Sequence, residues 1–207
     1  MQKTLPRKQR EILRHRKEIL AVAVRLFAQR GFHNVSMQDI AKEAEFGVGT
    51  LYNFFDSKEQ LFIELMKTGI EEFRKRLLPI LDSDKQEEEK LAEFIRSHID
   101  LVESNLELVR LYISQYGIRS SIKPMLKDIG TDLRAMVSEK LQNIVRAGMQ
   151  KQVFRRMHPE TVALSLQATL QAFAIESCED FDRTKTEEGI AKIEEFFLES
   201  LLKRVPE

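Results

Sequence analysis

Apolar residues recur at intervals of three and four along almost the entire chain, and no stretch alternates apolar with polar residues. That spacing gathers side chains on one face of a helix, and the missing alternation leaves no half-buried strand. Residues 11–30 form the first predicted helix, with Ile19, Ala23, Leu26 and Phe27 as its stripe and Gly31 as its stop. Ser36 and Asp39 are spaced as a capping box ahead of a short helix over 37–44. Gly47 stands at the N-cap of a second short helix, 48–54. Ser57 and Gln60 open a longer helix through Leu78, which Pro79 ends. Ser83 and Gln86 are spaced as a further capping pair in the polar stretch 82–90, and the helix that follows stops at Ser104. Helices over 106–120, 124–151 and 159–180 come next, with Pro124 and Pro159 in the first turns of the last two. Thr184 and Glu187 cap the final helix, which stops before Pro206. The pattern predicts nine helices and an all-α fold, with three of them inside the first 55 residues.

The length of 207 residues admits one large domain or two small ones and needs no cross-link for stability. Cys178 is the lone cysteine, which excludes an internal disulfide and points to a reducing compartment, the cytoplasm. The best apolar run, 19–24, stops at Arg25, far short of the roughly 20 residues of a membrane span. Acidic and basic groups balance at 33 each, but unevenly along the chain. Residues 1–17 hold seven basic side chains against Glu11 alone, and residues 1–60 hold 11 basic against 7 acidic. A basic head on an acidic body suits a polyanionic partner at the head, although a short charge run is equally a solvated arm.

The helices at 37–44 and 48–54 are each too short to be stable alone. Two such helices joined by a tight turn have the layout of a helix-turn-helix, whose second helix enters the major groove. Ile40, Ala44, Phe46, Leu51 and Phe54 are expected to face inward with Phe27 of the first helix. Ser36, Gln38, Thr50, Tyr52, Asn53 and Lys58 are left on one polar surface. The hydroxyls of Ser36, Thr50 and Tyr52 and the ammonium of Lys58 suit phosphate oxygens. The amides of Asn53 and Gln38 match adenine, and Val48 with the Thr50 methyl matches a thymine methyl. Gly49 lets the helix backbone come close to DNA.

These residues carry a resemblance. The stretch 36–44, reading Ser-Met-Gln-Asp-Ile-Ala-Lys-Glu-Ala, is followed by Gly-Thr-Leu-Tyr-Asn-Phe-Phe at 49–55 and Ser-Lys-Glu-Gln-Leu at 57–61. With the preceding Leu-Phe-Ala-Gln-Arg-Gly-Phe at 26–32, they resemble the tetracycline-repressor family of bacterial transcriptional regulators. The likeness is close over about residues 15–66. Further on, Gly148, Phe154, Arg155, Pro159 and Ala163 are similar to the family's spacing before its dimer helices. The resemblance implies a homodimer on a near-palindromic double-stranded DNA operator and a small-molecule effector in the C-terminal domain. By analogy Ser36, Thr50, Tyr52 and Lys58 contact phosphates, while Met37, Val48, Gly49 and Asn53 contact base edges. Two positions depart from the family: Glu45 stands where a turn glycine is common, and Phe46 replaces a smaller aliphatic residue. Either Glu45 takes a strained backbone or Gly47 makes the bend.

The expected organisation is a DNA-binding domain at 1–60, with its basic arm and three helices, and a six-helix ligand-binding and dimerisation domain at 61–207. The helix 159–180 is apolar on nearly every side, so it must be buried on every side. Its outer side calls for a second chain, and with the last helix it would build a four-helix dimer interface. The candidate pocket residues are Phe73, Phe94, His98, Leu101, Leu108, Tyr112, Tyr116, Met125, Ile129 and Phe173. A pocket so lined suits an apolar or aromatic molecule that lowers operator affinity on binding. His98 either lines that pocket or sits satisfied in the core, and His158 is placed to cap the helix at Pro159. The four histidines and Cys178 show no metal-ligand spacing, and no catalytic or cofactor motif appears. The reading is a ligand-relieved repressor without catalytic residues, metal or cofactor. The alternatives are an all-helical binding protein or enzyme using the C-terminal pocket, and a helical interaction protein that has lost DNA binding.

Overall fold

A computed structural model describes residues 6–116 and 131–202, the side chains of 112–116 excepted. Nine α-helices occur among the described residues, in the order α1 (Arg7–Arg30), α2 (Met37–Glu43), α3 (Val48–Phe54), α4 (Lys58–Leu81), α5 (Glu87–Ser104), α6 (Leu106–Tyr116), α7 (Thr131–Gln150), α8 (Pro159–Glu179) and α9 (Arg183–Leu201). A 3₁₀ turn at Phe32–Asn34 links α1 to α2. The chain is all-α, as its pattern predicts.

Two apolar clusters form. The N-terminal one gathers Ile19, Ala23, Leu26 and Phe27 of α1, Ile40 and Ala41 of α2, Leu51 of α3 and Leu61, Phe62 and Leu65 of α4. Aromatic edges lock its centre, with Phe62 meeting Phe27 at 5.7 Å and Phe32 at 5.0 Å. The second cluster is built from the far half of α4 with α5, α7, α8 and α9. Helix α4 runs unbroken between the two. Helix α6 also serves both, because Leu111 is buried in the N-terminal cluster while α6 packs on α8.

Several helix ends differ from expectation. Helix α1 begins at Arg7, four residues earlier, because nothing between Pro6 and Ile19 breaks a run of good helix formers. Pro79 does not end α4, which closes at Leu81; a proline in the last turn removes one ladder bond, and the Asp82 amide still reaches Leu78 O at 2.9 Å. The α5 capping box is Gln86 with Glu89, not Ser83 with Gln86, because the Ser83 hydroxyl turns back to Ile80 O. Asp182, not Thr184, caps α9 by accepting from the Lys185 amide at 3.1 Å. His158 occupies the α8 N-cap without a side-chain bond. Phe55 is the buried aromatic at the end of α3, and Phe54 is only partly covered.

Helices α7 and α8 are joined through a tight corner. Phe154 is buried there with its ring on Gly148, and the Arg155 amide donates to Leu201 O at 2.8 Å. A Cβ on Gly148 would stand 2.1 Å from Phe154 Cδ2. Gly148→Ala is therefore expected to lower stability by about 1–3 kcal/mol, read as a shift in the urea midpoint. An unchanged midpoint would mean that the Phe154 ring swings aside freely.

Candidate functional site

The helix-turn-helix is built by local hydrogen bonds. Ser36 and Asp39 form the predicted capping box at α2, the Ser36 amide donating to Asp39 Oδ2 at 2.8 Å and the Asp39 amide to Ser36 Oγ at 3.1 Å. The Ser36 hydroxyl also donates to Asp39, and these bonds hold the Asp39 carboxyl below its ordinary value. At the other end of α2 the Glu45 amide donates to Lys42 O and the Phe46 amide to Ala41 O. That is a Schellman closure with Glu45 at the left-handed position, φ 59°, where glycine is usual. Gly47 keeps an ordinary φ of −66°, so the bend is Glu45's, held by the packing on either side.

The closure leaves a polar face. Gln38, Gly49 and Asn53 are exposed, Thr50 and Val48 are half-buried, and Tyr52 is 48% exposed. A Cβ on Gly49 would meet nothing within 4 Å, so no contact inside the chain requires glycine there. Met37 differs from expectation. It is 4% exposed and packs in the N-terminal cluster, because the first residue after a capped N-terminus points under the helix here.

Lys58 is held from within the domain. Its ammonium donates to Phe32 O at 2.8 Å and Val35 O at 2.7 Å and lies 4.4 Å from the centre of the Phe32 ring. It pins the start of α4 to the chain entering α2 and keeps one donor for another partner. Lys58→Met, which keeps the aliphatic stem, is expected to cost about 1–2 kcal/mol in chemical denaturation. No loss of stability would show that water replaces both contacts at no cost.

The basic segment is the first three turns of α1. Arg7, Arg10, Arg14 and Lys17 fall at i, i+3, i+7 and i+10, on one stripe away from the core. Arg7 pairs with Glu11 and Arg14 with Glu18. Arg16 is turned the other way, bonded to Glu64 of α4 and stacked 4.8 Å from the Phe55 ring. His15 touches Phe46 at 5.2 Å, which seats this segment beside the turn of the helix-turn-helix. Apolar periodicity fades before residue 11, so the pattern predicts the helix only over 11–30 and misses its first turn.

A cavity of about 260 Å³ lies between α4, α5, α6, α7 and α8. Of the expected residues, Phe73, Phe94, His98, Leu101 and Leu108 line it. Phe173 does not; its ring packs on Gly189 of α9, where a Cβ would come within 2.4 Å of Cε2. The side chains of Tyr112, Tyr116, Met125 and Ile129 lie outside the described residues. Sequence reasoning missed Met66 and Gly69 of α4, Arg134 of α7 and Gln167 and Gln171 of α8. Gly69 seats Leu108, since a Cβ there would stand 1.9 Å from Leu108 Cδ2. Arg134 is the one charged residue among the described lining, and its Nη2 donates to Gln171 Oε1 at 2.9 Å. Burial pushes the His98 pKa down to about 4 against the favourable bond to Phe94 O.

On the outside of α8, Leu164, Ala168 and Ala172 form an exposed stripe, with Leu164 68% accessible, and Phe196 of α9 is 65% accessible, while the exposed Ile175 lines the cavity. The opposite side of α8 is buried through Val162, Ala163, Leu166 and Leu170. No group of three or more metal-ligating side chains and no helix long and apolar enough to cross a membrane occurs among the described residues.

The family model of bacterial regulatory proteins of the tetR type matches residues 19–65, the helix-turn-helix with its supporting helices. The chain is 30% identical to the fatty acid metabolism regulator protein of Bacillus subtilis over 146 residues, 68% of this chain and 75% of that protein. The fold is shared with the ketosteroid transcriptional regulator KstR2 of Mycobacterium tuberculosis, at a TM-score of 0.71 and 22% identity over 91% of this chain and 95% of that one. It is shared as well with the transcriptional regulator PfmR of Thermus thermophilus, at 0.72 and 23% over 90% and 96%. A capped helix-turn-helix on a helical body, matched in sequence at its head and in fold over nine-tenths of its length, places the chain in the tetR family of bacterial regulatory proteins.

Proposed function

We propose that the protein is a homodimeric transcriptional repressor that reads a near-palindromic DNA operator and is released from it by a small apolar or aromatic effector. The observation that carries this reading is the shared helix α6. Its Leu111 is buried in the core of the N-terminal domain, while its Leu108 and Val109 line the cavity. A ligand that displaces Leu108 from its seat on Gly69 moves a residue three positions from the head's core, so occupancy and head orientation are mechanically joined. The coupling expected of such a joint is about 1–3 kcal/mol.

On the DNA side, Gln38, Val48, Gly49 and Asn53 face base edges, with Thr50 and Tyr52 on phosphates. Ser36 acts chiefly by fixing α2, its hydroxyl hydrogen being engaged by Asp39, while Lys58 fixes α4 through two of its three donors and has the third to offer a phosphate. The bare Cβ position of Gly49 supports close approach of the helix backbone to the groove. The exposed stripe of α8 with Phe196 supplies the apolar face for a partner copy in a four-helix seam. The lining of the cavity, with one arginine and no carboxylate among its described residues, favours binding over catalysis. A repressor of this kind works in the bacterial cytoplasm.

The test is selection from a random DNA pool by the full-length protein, followed by affinity for the selected sequence against salt. A near-palindromic sequence bound with a steep negative slope of log K on log salt is expected. Enrichment of nothing, with weak binding indifferent to sequence, overturns the reading.

A further inference from the structure

The polar groups of the cavity are few, and one is held in a single chemical state. His98 Nδ1 lies 2.8 Å from Phe94 O, four residues back on α5. A carbonyl oxygen only accepts, so Nδ1 carries the hydrogen and Nε2 is left as an acceptor. The Phe94 ring meets the imidazole edge-on at 4.9 Å. Burial keeps the imidazole neutral at physiological pH. Nε2 has no hydrogen-bond partner among the described residues, and His98 lines the cavity.

The surroundings sharpen the demand. Leu101, Val102, Leu133, Val137 and Leu170 make the nearby wall apolar. An acceptor on such a wall is better satisfied by a ligand that brings a donor than by one that brings only apolar surface or lone pairs. The other polar side chains of the described lining are Arg134, Gln167 and Gln171, of which Arg134 is exposed. An ionised carboxylate therefore fits beside Arg134 and is repelled at His98, where both partners would offer only lone pairs.

We propose that the cavity selects an apolar ligand that presents one hydroxyl to Nε2 of His98, an alcohol or phenol rather than a ketone, ether or carboxylate at that point. This rests on the cavity being the effector site and names the chemistry that site prefers. A matched pair with and without the hydroxyl hydrogen discriminates at His98 because the pair differs in the donor that Nε2 lacks among the described residues.

The experiment uses the full-length protein and a series of 4-alkylphenols of increasing chain length, each beside its methyl ether. Calorimetric titration is expected to show the best-fitting phenol binding about tenfold or more tightly than its ether. In His98→Phe the phenol should lose that advantage while the ether binds as before. The nitrogen-15 resonance of His98 Nε2 in the unaltered protein should move on adding the phenol and not the ether, a signature available even if the variant folds poorly. Equal affinity for phenol and ether, or an unmoved Nε2 resonance on phenol binding, overturns the hydroxyl preference while leaving the cavity as a site. Failure of every member of both series to bind overturns the effector cavity itself.

Discussion

Tyr52→Ala lowers affinity for the selected operator by about tenfold to a hundredfold, with the circular dichroism spectrum and the oligomeric state unchanged. The expectation follows from where the side chain stands. Tyr52 is half exposed on a seven-residue helix whose other side is anchored by the fully buried Leu51, so its removal takes nothing from the core. Loss of a surface side chain of this kind shifts stability by no more than about 0.5 kcal/mol. In the proposed dimer the contact would be lost twice, once in each half-site, so the loss of one phosphate contact is expected to have so large an effect. Gel-shift or fluorescence-anisotropy titration at fixed salt measures it. An unchanged affinity would remove Tyr52 from the interface and, with it, the assignment of the α3 face to DNA.

Acidification from pH 6.5 to 4 is expected to destabilise the protein by about 3 kcal/mol through His98 alone. In the unfolded chain the imidazole takes up a proton near its ordinary pKa of 6.5, whereas in the folded chain it does so only near 4. Between those values the unfolded state binds more protons, so stability falls as pH falls, by about 1.4 kcal/mol per pH unit. Asp39 and Glu87 are held below their ordinary values by hydrogen bonds from Ser36 and Lys151, and their stabilisation starts to be lost only once the pH falls into the ordinary carboxylate range. The window from 6.5 to about 5 therefore isolates His98 from these carboxylates. Denaturant midpoints measured across it should slope in the native protein and flatten in His98→Phe, whatever constant offset that substitution adds. Parallel slopes in the two proteins would refute the buried neutral imidazole.

The helix-turn-helix was legible because its determinants are close together in the chain. Ser36 and Asp39 are three residues apart and form the box that the spacing predicts. The turn was harder, since whether Glu45 or Gly47 takes the bend depends on packing on both sides, and glycine at 47 does not use its freedom. Phe54 and Phe55 are adjacent, and helical spacing alone does not say which is buried when the helix ends between them. The structural role of Lys58 was not legible, because its two carbonyl partners, Phe32 and Val35, lie in an irregular segment without a pattern. The cavity was half legible. Its aromatic and leucine lining shares the helical period of the core, but Arg134, Gln167 and Gln171 come together only through the packing of α7 on α8. Phe173 was assigned to the wrong side of α8 because an all-apolar helix gives no sign of which residue faces which neighbour.

Helix α6 also limits how this protein can be taken apart. The side of the head formed by α1 is covered by α6, with Leu111 fully buried between them, although Leu111 lies nearly sixty residues beyond the end of α3 at Phe54. A fragment cut after α3, or within α4, would leave that side bare to water. The reader of such a protein is thus not a portable cassette. A chimera that transplants this head onto another sensory body has to bring α6 along or rebuild the Leu108–Leu111 edge in its new host.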